Sequence, residues 1–192
     1  MLKLNKLTEA NLFEVLKVVY PTGEIIKQSR LRVNNKTMIV DYEIAYGIKV
    51  IYVEFDGPTH FTSAKTQVRD LALEKYCKEN NVELIRIPYF VQLNKYTLST
   101  YFRHVAYPEG LVDSEYKSGF IDPKITYPSS YNKYGWKLFF KHLDLIGLDA
   151  ENIADGLLQG DTNITVGLGM DAELEKLSKY IYYEDQGDRC YE

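Results

Sequence analysis

The sequence predicts an α/β protein whose core runs α-β-β-β-α-β, a mixed sheet flanked by helices, followed by a helical C-terminal region. Three observations carry this. Residues 8–19 (TEANLFEVLKVV) place Leu12, Val15, Leu16 and Val19 at the spacing of one helical stripe. Three runs rich in β-branched and aromatic residues follow at 24–33, 37–46 and 49–56, separated by short turns. Between 56 and 83 lies a helical pattern long enough to return the chain for a parallel strand.

The first helix has Thr8 as its expected N-cap, and Pro21 with Gly23 ends it. The strand at 24–33 (EIIKQSRLRV) carries Lys27, Arg30 and Arg32 and turns at Asn34–Asn35. Gly47 sits first in a two-residue loop between the next two strands, as a type II′ hairpin requires. That loop sets a register. Pairing Tyr46 with Lys49 puts Asp41 opposite Glu54, with Cβ atoms ~4.5–5.5 Å apart. Asp56, two residues further along, points to the same face.

After the turn GPTHFTS, residues 64–80 form a helix. Its apolar positions Val68, Leu71, Ala72, Leu73, Tyr76 and Cys77 cover more than one stripe, which predicts burial between two layers. Residues 83–87 (ELIRI) make a short buried strand, and 96–105 a further helix. Residues 107–133 lack periodicity and carry three prolines, so they read as loop. Helices are expected at about 133–147, 149–158 and 172–183. The expected division is a core over 1–106 and a loop-rich, then helical region over 107–192, packed on the core or used for partner binding.

Composition narrows the class. The chain has 192 residues, 45 % of them apolar, with 17 Tyr and 8 Phe, which argues against disorder as the overall description. No stretch approaches the ~20 apolar residues of a membrane span, and the N-terminal residues show no secretory pattern. Cys77 and Cys190 are too few for a disulfide framework or a zinc ribbon. The expectation is a cytoplasmic protein without a membrane partner. Net charge is uneven: residues 1–104 hold 15 Lys+Arg and 11 Asp+Glu, a balance of +4, and the remainder holds 8 and 16, a balance of −8. A basic first half suits a polyanion and an acidic second half suits a protein partner.

Asp41, Glu54 and Asp56 are costly together unless they share protons or hold a cation. The available ligands are hard oxygens, which suit Mg²⁺, with Mn²⁺ able to substitute. Such an ion promotes phosphodiester hydrolysis. His60, in the turn after this cluster, is placed to shuttle a proton. Lys27, Arg30, Arg32 and nearby Lys36 could contact phosphates, which position nucleic acid without reading its sequence. Gly57 would let the backbone approach phosphate. Lys65, Arg69 and Lys75 read foremost as solvated helix residues, and His104, His142, Trp136, Phe139, Phe140 and Leu143 as packing residues. No base-reading module is recognisable.

The hairpin bearing Asp41 and the segment VEFDGPTH from Val53 to His60 resemble the PD-(D/E)XK nuclease superfamily, in particular its very-short-patch-repair-like branch. Arg69–Asp70, Tyr76–Cys77 and LIRIPY at 84–89 are similar to that branch as well. The resemblance covers about residues 8–90. It implies a restriction-endonuclease-like fold. It also implies metal binding by Asp41, Glu54 and the carbonyl of Phe55, with Glu9 on the first helix assisting. The departure is Asp56, where the family signature has lysine; an acidic residue there suggests a second metal site or a carboxylate base. The expectation is a Mg²⁺-dependent endonuclease acting on double-stranded DNA. In outline the chain is similar to the small catalytic subunit of heterodimeric type IIS restriction enzymes, whose larger subunit recognises the site. Alternatives are a self-sufficient repair or homing-type endonuclease, a non-catalytic nucleic-acid-binding or assembly subunit, and an acidic protein that mimics nucleic acid.

Overall fold

A computed structural model describes residues 2–4, 7–33, 35–103, 112–114 and 131–147. The expected helices at 149–158 and 172–183 lie outside the described residues, as does His104. Within them the elements are β1 (Leu2–Leu4), α1 (Glu9–Val19), β2 (Glu24–Val33), β3 (Lys36–Tyr46), β4 (Lys49–Asp56), α2 (Thr59–Thr62), α3 (Ala64–Glu79), β5 (Glu83–Pro88), α4 (Lys95–Tyr101), β6 (Val112–Ser114) and α5 (Lys133–Leu145).

The main sheet has the order β2-β3-β4-β5. Its first two pairings are antiparallel, and β4 with β5 is parallel. The mixed α/β architecture therefore stands. A second, two-stranded parallel sheet of β1 and β6 was not legible in the sequence.

Local chemistry explains the boundaries. Thr8 caps α1 in a reciprocal capping box with Asn11, and Leu12, Val15, Leu16 and Val19 are its buried stripe. Tyr46 pairs with Lys49 around Gly47, whose φ is 61°. Ile48 does not share a positive φ, so one glycine suffices, as in a type II′ turn.

The sheet separates two cores. The larger joins α1 to Tyr42, Ile44, Ile51, Val53, Ile85 and Ile87, and to α5 through Trp136, Phe139, Phe140 and Leu143. The smaller joins Leu73 and Cys77 of α3 to Leu31, Val33, Met38, Val40 and Tyr52. Because Tyr52 and Val53 are neighbours on a strand, the two cores lie on opposite faces.

Two expectations about helices need correction. Helix α3 buries one stripe, Gln67, Asp70, Leu73 and Cys77, while Val68 and Leu71 are exposed. It is covered by a single layer, since the sheet occupies one side and no described element covers the other. Helix α4 ends at Tyr101 instead of continuing to 105, with Phe102 as C-cap.

Helix α5 docks closely. Its N-cap Asn132 exchanges amide hydrogen bonds of 3.0 Å with Gln67 of α3, and the Asn132 N–H donates to the Phe61 carbonyl at 3.2 Å. Gly135 faces that same carbonyl, where a Cβ would stand 1.8 Å from the oxygen. Only glycine lets the helix approach so near.

Candidate metal and phosphate site

The site forms where β3 and β4 part. Their ladder follows the expected register from Tyr46–Lys49 to Tyr42–Val53 and stops one pair short of Asp41 and Glu54. There the Asp41 carboxylate takes over from the backbone: its Oδ2 accepts the Phe55 N–H at 2.8 Å. Asp41 thus lies alongside Glu54–Phe55, and it is the Phe55 N–H that it engages.

The same step breaks β2 from β3. Pairing proceeds from Glu24–Ala45 to Lys27–Tyr42 and resumes unchanged at Ser29–Val40, omitting Gln28 and Asp41. Gln28 has φ 52°, outside extended geometry. On one side of the step Tyr42 belongs to the α1 core, and on the other Val40 belongs to the α3 core. Regular alternation would keep both on one face, so the ribbon turns over at Gln28. Lys27 lies over the Phe13 ring, 3.5 Å from its centroid, on the α1 side. Ser29 faces the other way, hydrogen-bonded to Glu43. The turnover therefore puts Arg30 and Arg32 on the same side as Lys27, where unbroken alternation from Lys27 would oppose them. Both arginines are exposed, as is Lys36 at the ribbon's end.

Glu9 begins α1 and its Oε1 accepts from Gln28 Nε2 at 2.9 Å; Asp41 Oδ1 accepts from the same nitrogen at 3.2 Å. The Tyr42 hydroxyl donates to the Glu9 carbonyl. Glu9 and Asp41 are in this way tied to one place through Gln28.

Glu54 is 2 % exposed, and its Oε1 has no hydrogen-bond partner. Its other oxygen lies 3.6 Å from Arg69 Nη2, and the same guanidinium nitrogen donates to the Ile39 carbonyl at 2.7 Å. Burial, and then the charge of Asp41, push the Glu54 carboxyl up to about 8; Arg69 and Arg86 pull it back only in part.

Asp56 is engaged elsewhere. Arg86 of β5 holds both its oxygens, from Nε and Nη2, at 2.7 Å each. Arg86 Nη2 also lies 3.0 Å from Asp70 Oδ2, which accepts from His60 Nδ1 at 2.7 Å. Nη2 approaches His60 Nδ1 to 2.9 Å as well, but a nitrogen donating its proton to Asp70 cannot also accept one; the carboxylate holds the two donors together. His60 Nδ1 is 3.4 Å from Asp56.

Four ionisable groups thus form one mostly buried network. Burial disfavours a charged His60, but the hydrogen bond to Asp70 and the charge of Asp56 outweigh it, and its pKa rises. Asp70 is held below its usual range: burial alone would raise it, but the His60 hydrogen bond and Arg86 prevail. Burial raises Asp56 despite Arg86.

Sequence reasoning missed Arg86, Gln28 and the reach of Arg69. A charged residue inside the short apolar strand ELIRI was the available signal for Arg86, because a buried arginine needs partners. Asp70 entered only through the RD pair of the resemblance. His142, read as a packing residue, is buried beside Tyr101, and burial lowers it to about 3.

Among the described residues no group of three or more His, Cys, Asp or Glu is arranged to hold a metal ion. Asp41 and Glu54, the latter with an unpartnered buried oxygen, are hard oxygen donors of the kind Mg²⁺ takes while keeping most of its ligands as water. No protein-family model matches the chain, and no curated protein does. Among the described residues no helix is long and apolar enough to cross a membrane.

Proposed function

We propose that the chain is a Mg²⁺-dependent DNA endonuclease with a restriction-endonuclease-like core, of the very-short-patch-repair-like branch of the PD-(D/E)XK nucleases. The observation that carries this is the parting of β3 and β4, where Asp41 accepts the Phe55 N–H next to Glu54, whose buried Oε1 has no hydrogen-bond partner.

Asp41, Glu54 and the Phe55 carbonyl would hold Mg²⁺, or Mn²⁺ in its place, with Glu9 supporting Asp41. When bound, the ion supplies a Lewis acid and a more acidic water. Glu54 would have to be without its proton to serve as a ligand, and Arg69, 3.6 Å from its other oxygen, would limit the charge there. Asp56, closed by Arg86, does not act as a free base. His60 is oriented by Asp70 through Nδ1, which leaves Nε2 to exchange a proton. Lys27, Arg30, Arg32 and Lys36 contact phosphates of double-stranded DNA.

The sequence contains no base-reading module, and its second half is acidic, so target choice falls to a larger DNA-recognising subunit in the cytoplasm. A second reading, a non-catalytic assembly subunit, is favoured by one observation: the usual lysine position is an aspartate committed to Arg86. Plasmid nicking separates them. The chain with Mg²⁺, alone or with its partner, should nick DNA, and EDTA or Asp41→Ala should stop it. Absence of cutting with any divalent metal and every candidate partner rejects the enzyme.

A further inference from the structure

Gln28 stands at the one step where β2 and β3 do not pair, in a left-handed conformation that glycine adopts at least cost. What the glutamine adds is its amide. Nε2 spends its two protons on Glu9 Oε1 and Asp41 Oδ1, joining the first turn of α1 to the centre of the sheet. Ionised carboxylates only accept, so the nitrogen must face them. Asp41 is thereby held at both oxygens, by Gln28 at one and by the Phe55 N–H at the other. Each oxygen retains a second lone pair.

The charge of the clamp matters. Lysine or arginine at this position would hold the same carboxylates and also neutralise them. An amide brings them together and leaves their negative charge for something else. Asp41 also accepts from the N–H of Phe55, the residue after Glu54, whose buried Oε1 lacks a partner.

We propose that Gln28 is a positioning residue of the acidic site, a neutral clamp that fixes Glu9 and Asp41 for a divalent cation. The proposal rests on the metal reading above. Its strained backbone aims the amide at both acids and turns the ribbon over.

Mn²⁺ binding to the full chain, followed by electron paramagnetic resonance, tests it alongside thermal melting without metal. Gln28→Gly removes the amide and relieves the backbone; it should weaken Mn²⁺ binding about tenfold while melting no lower than wild type. Gln28→Lys keeps a donor but adds a charge, and should weaken Mn²⁺ binding at least as much while melting no lower. Loss of metal affinity without loss of stability is not what a merely structural residue would produce. If wild type binds Mn²⁺ and both variants bind it equally, or lose it only in step with their melting temperature, the clamp is overturned alone. A wild-type chain that takes up no Mn²⁺ overturns the metal reading and the clamp with it.

Discussion

Arg86 of β5 grips Asp56 of β4 with two hydrogen bonds of 2.7 Å, on neighbouring parallel strands. The acid that continues the face of Glu54 is therefore bound to a cation of its own, and Asp70 and His60 complete a cluster of two acids and two bases. Fixed, bidentate pairing of this kind resists replacement by lysine, which lacks the fork.

Arg86→Leu should destabilise the fold by about 3–5 kcal/mol, because it removes both hydrogen bonds to buried Asp56 and leaves it only His60, 3.4 Å away. Asp56→Leu combined with Arg86→Leu should cost less than the arginine change alone. Urea unfolding of the three proteins measures this. A double variant less stable than Arg86→Leu would mean that the pair is not the unit.

Glu54 predicts a pH dependence. Its carboxyl is raised from an ordinary 4.5 to about 8 in the folded chain. Between those values the folded state keeps a proton that the unfolded state has lost. Its contribution is complete below about pH 4.5 and disappears as pH rises to about 8, at roughly 1.4 kcal/mol per pH unit within the window. Metal-free Glu54→Gln should show a flatter profile over this range. An unchanged slope in that variant would assign the effect to another group.

The contact of α5 with α2 allows a steric test. Gly135→Ala puts a methyl group into the Phe61 backbone and should cost about 1–3 kcal/mol in urea unfolding. Gly57→Ala meets nothing within 4 Å and should remain within about 0.5 kcal/mol of wild type. Equal effects would mean that α5 can slide away from the turn carrying His60.

The basic ribbon should leave its mark in salt dependence. Arg30→Ala and Arg32→Ala should each lower the slope of log affinity for duplex DNA against log salt by about 1. Lys65→Ala, on the exposed start of α3, should leave the slope unchanged. Equal effects of all three would indicate a diffuse charge attraction without a defined track.

Much of the frame could be read from sequence because its causes are local. The stripe and Thr8 defined α1, and Gly47 set the hairpin register, which holds from Tyr46–Lys49 to Tyr42–Val53. The clamp was less visible. Nothing in KQS announces that Gln28 adopts a positive φ, since glutamine there is an exception to the steric rule. Helix α3 misled for a related reason: apolar Val68 and Leu71 look buried until it is known that one layer covers the helix.

The sequence by itself determined the α-β-β-β-α-β order and the pair of strands that carry the acids, since periodicity, caps and turn residues act over a few positions. Tertiary structure alone decided which charges meet. Arg86 finds Asp56 from 30 residues away, and Gln28 reaches Glu9 across 19. The physical reason is that a charge takes the partner its burial requires, and burial is a property of the packed layers.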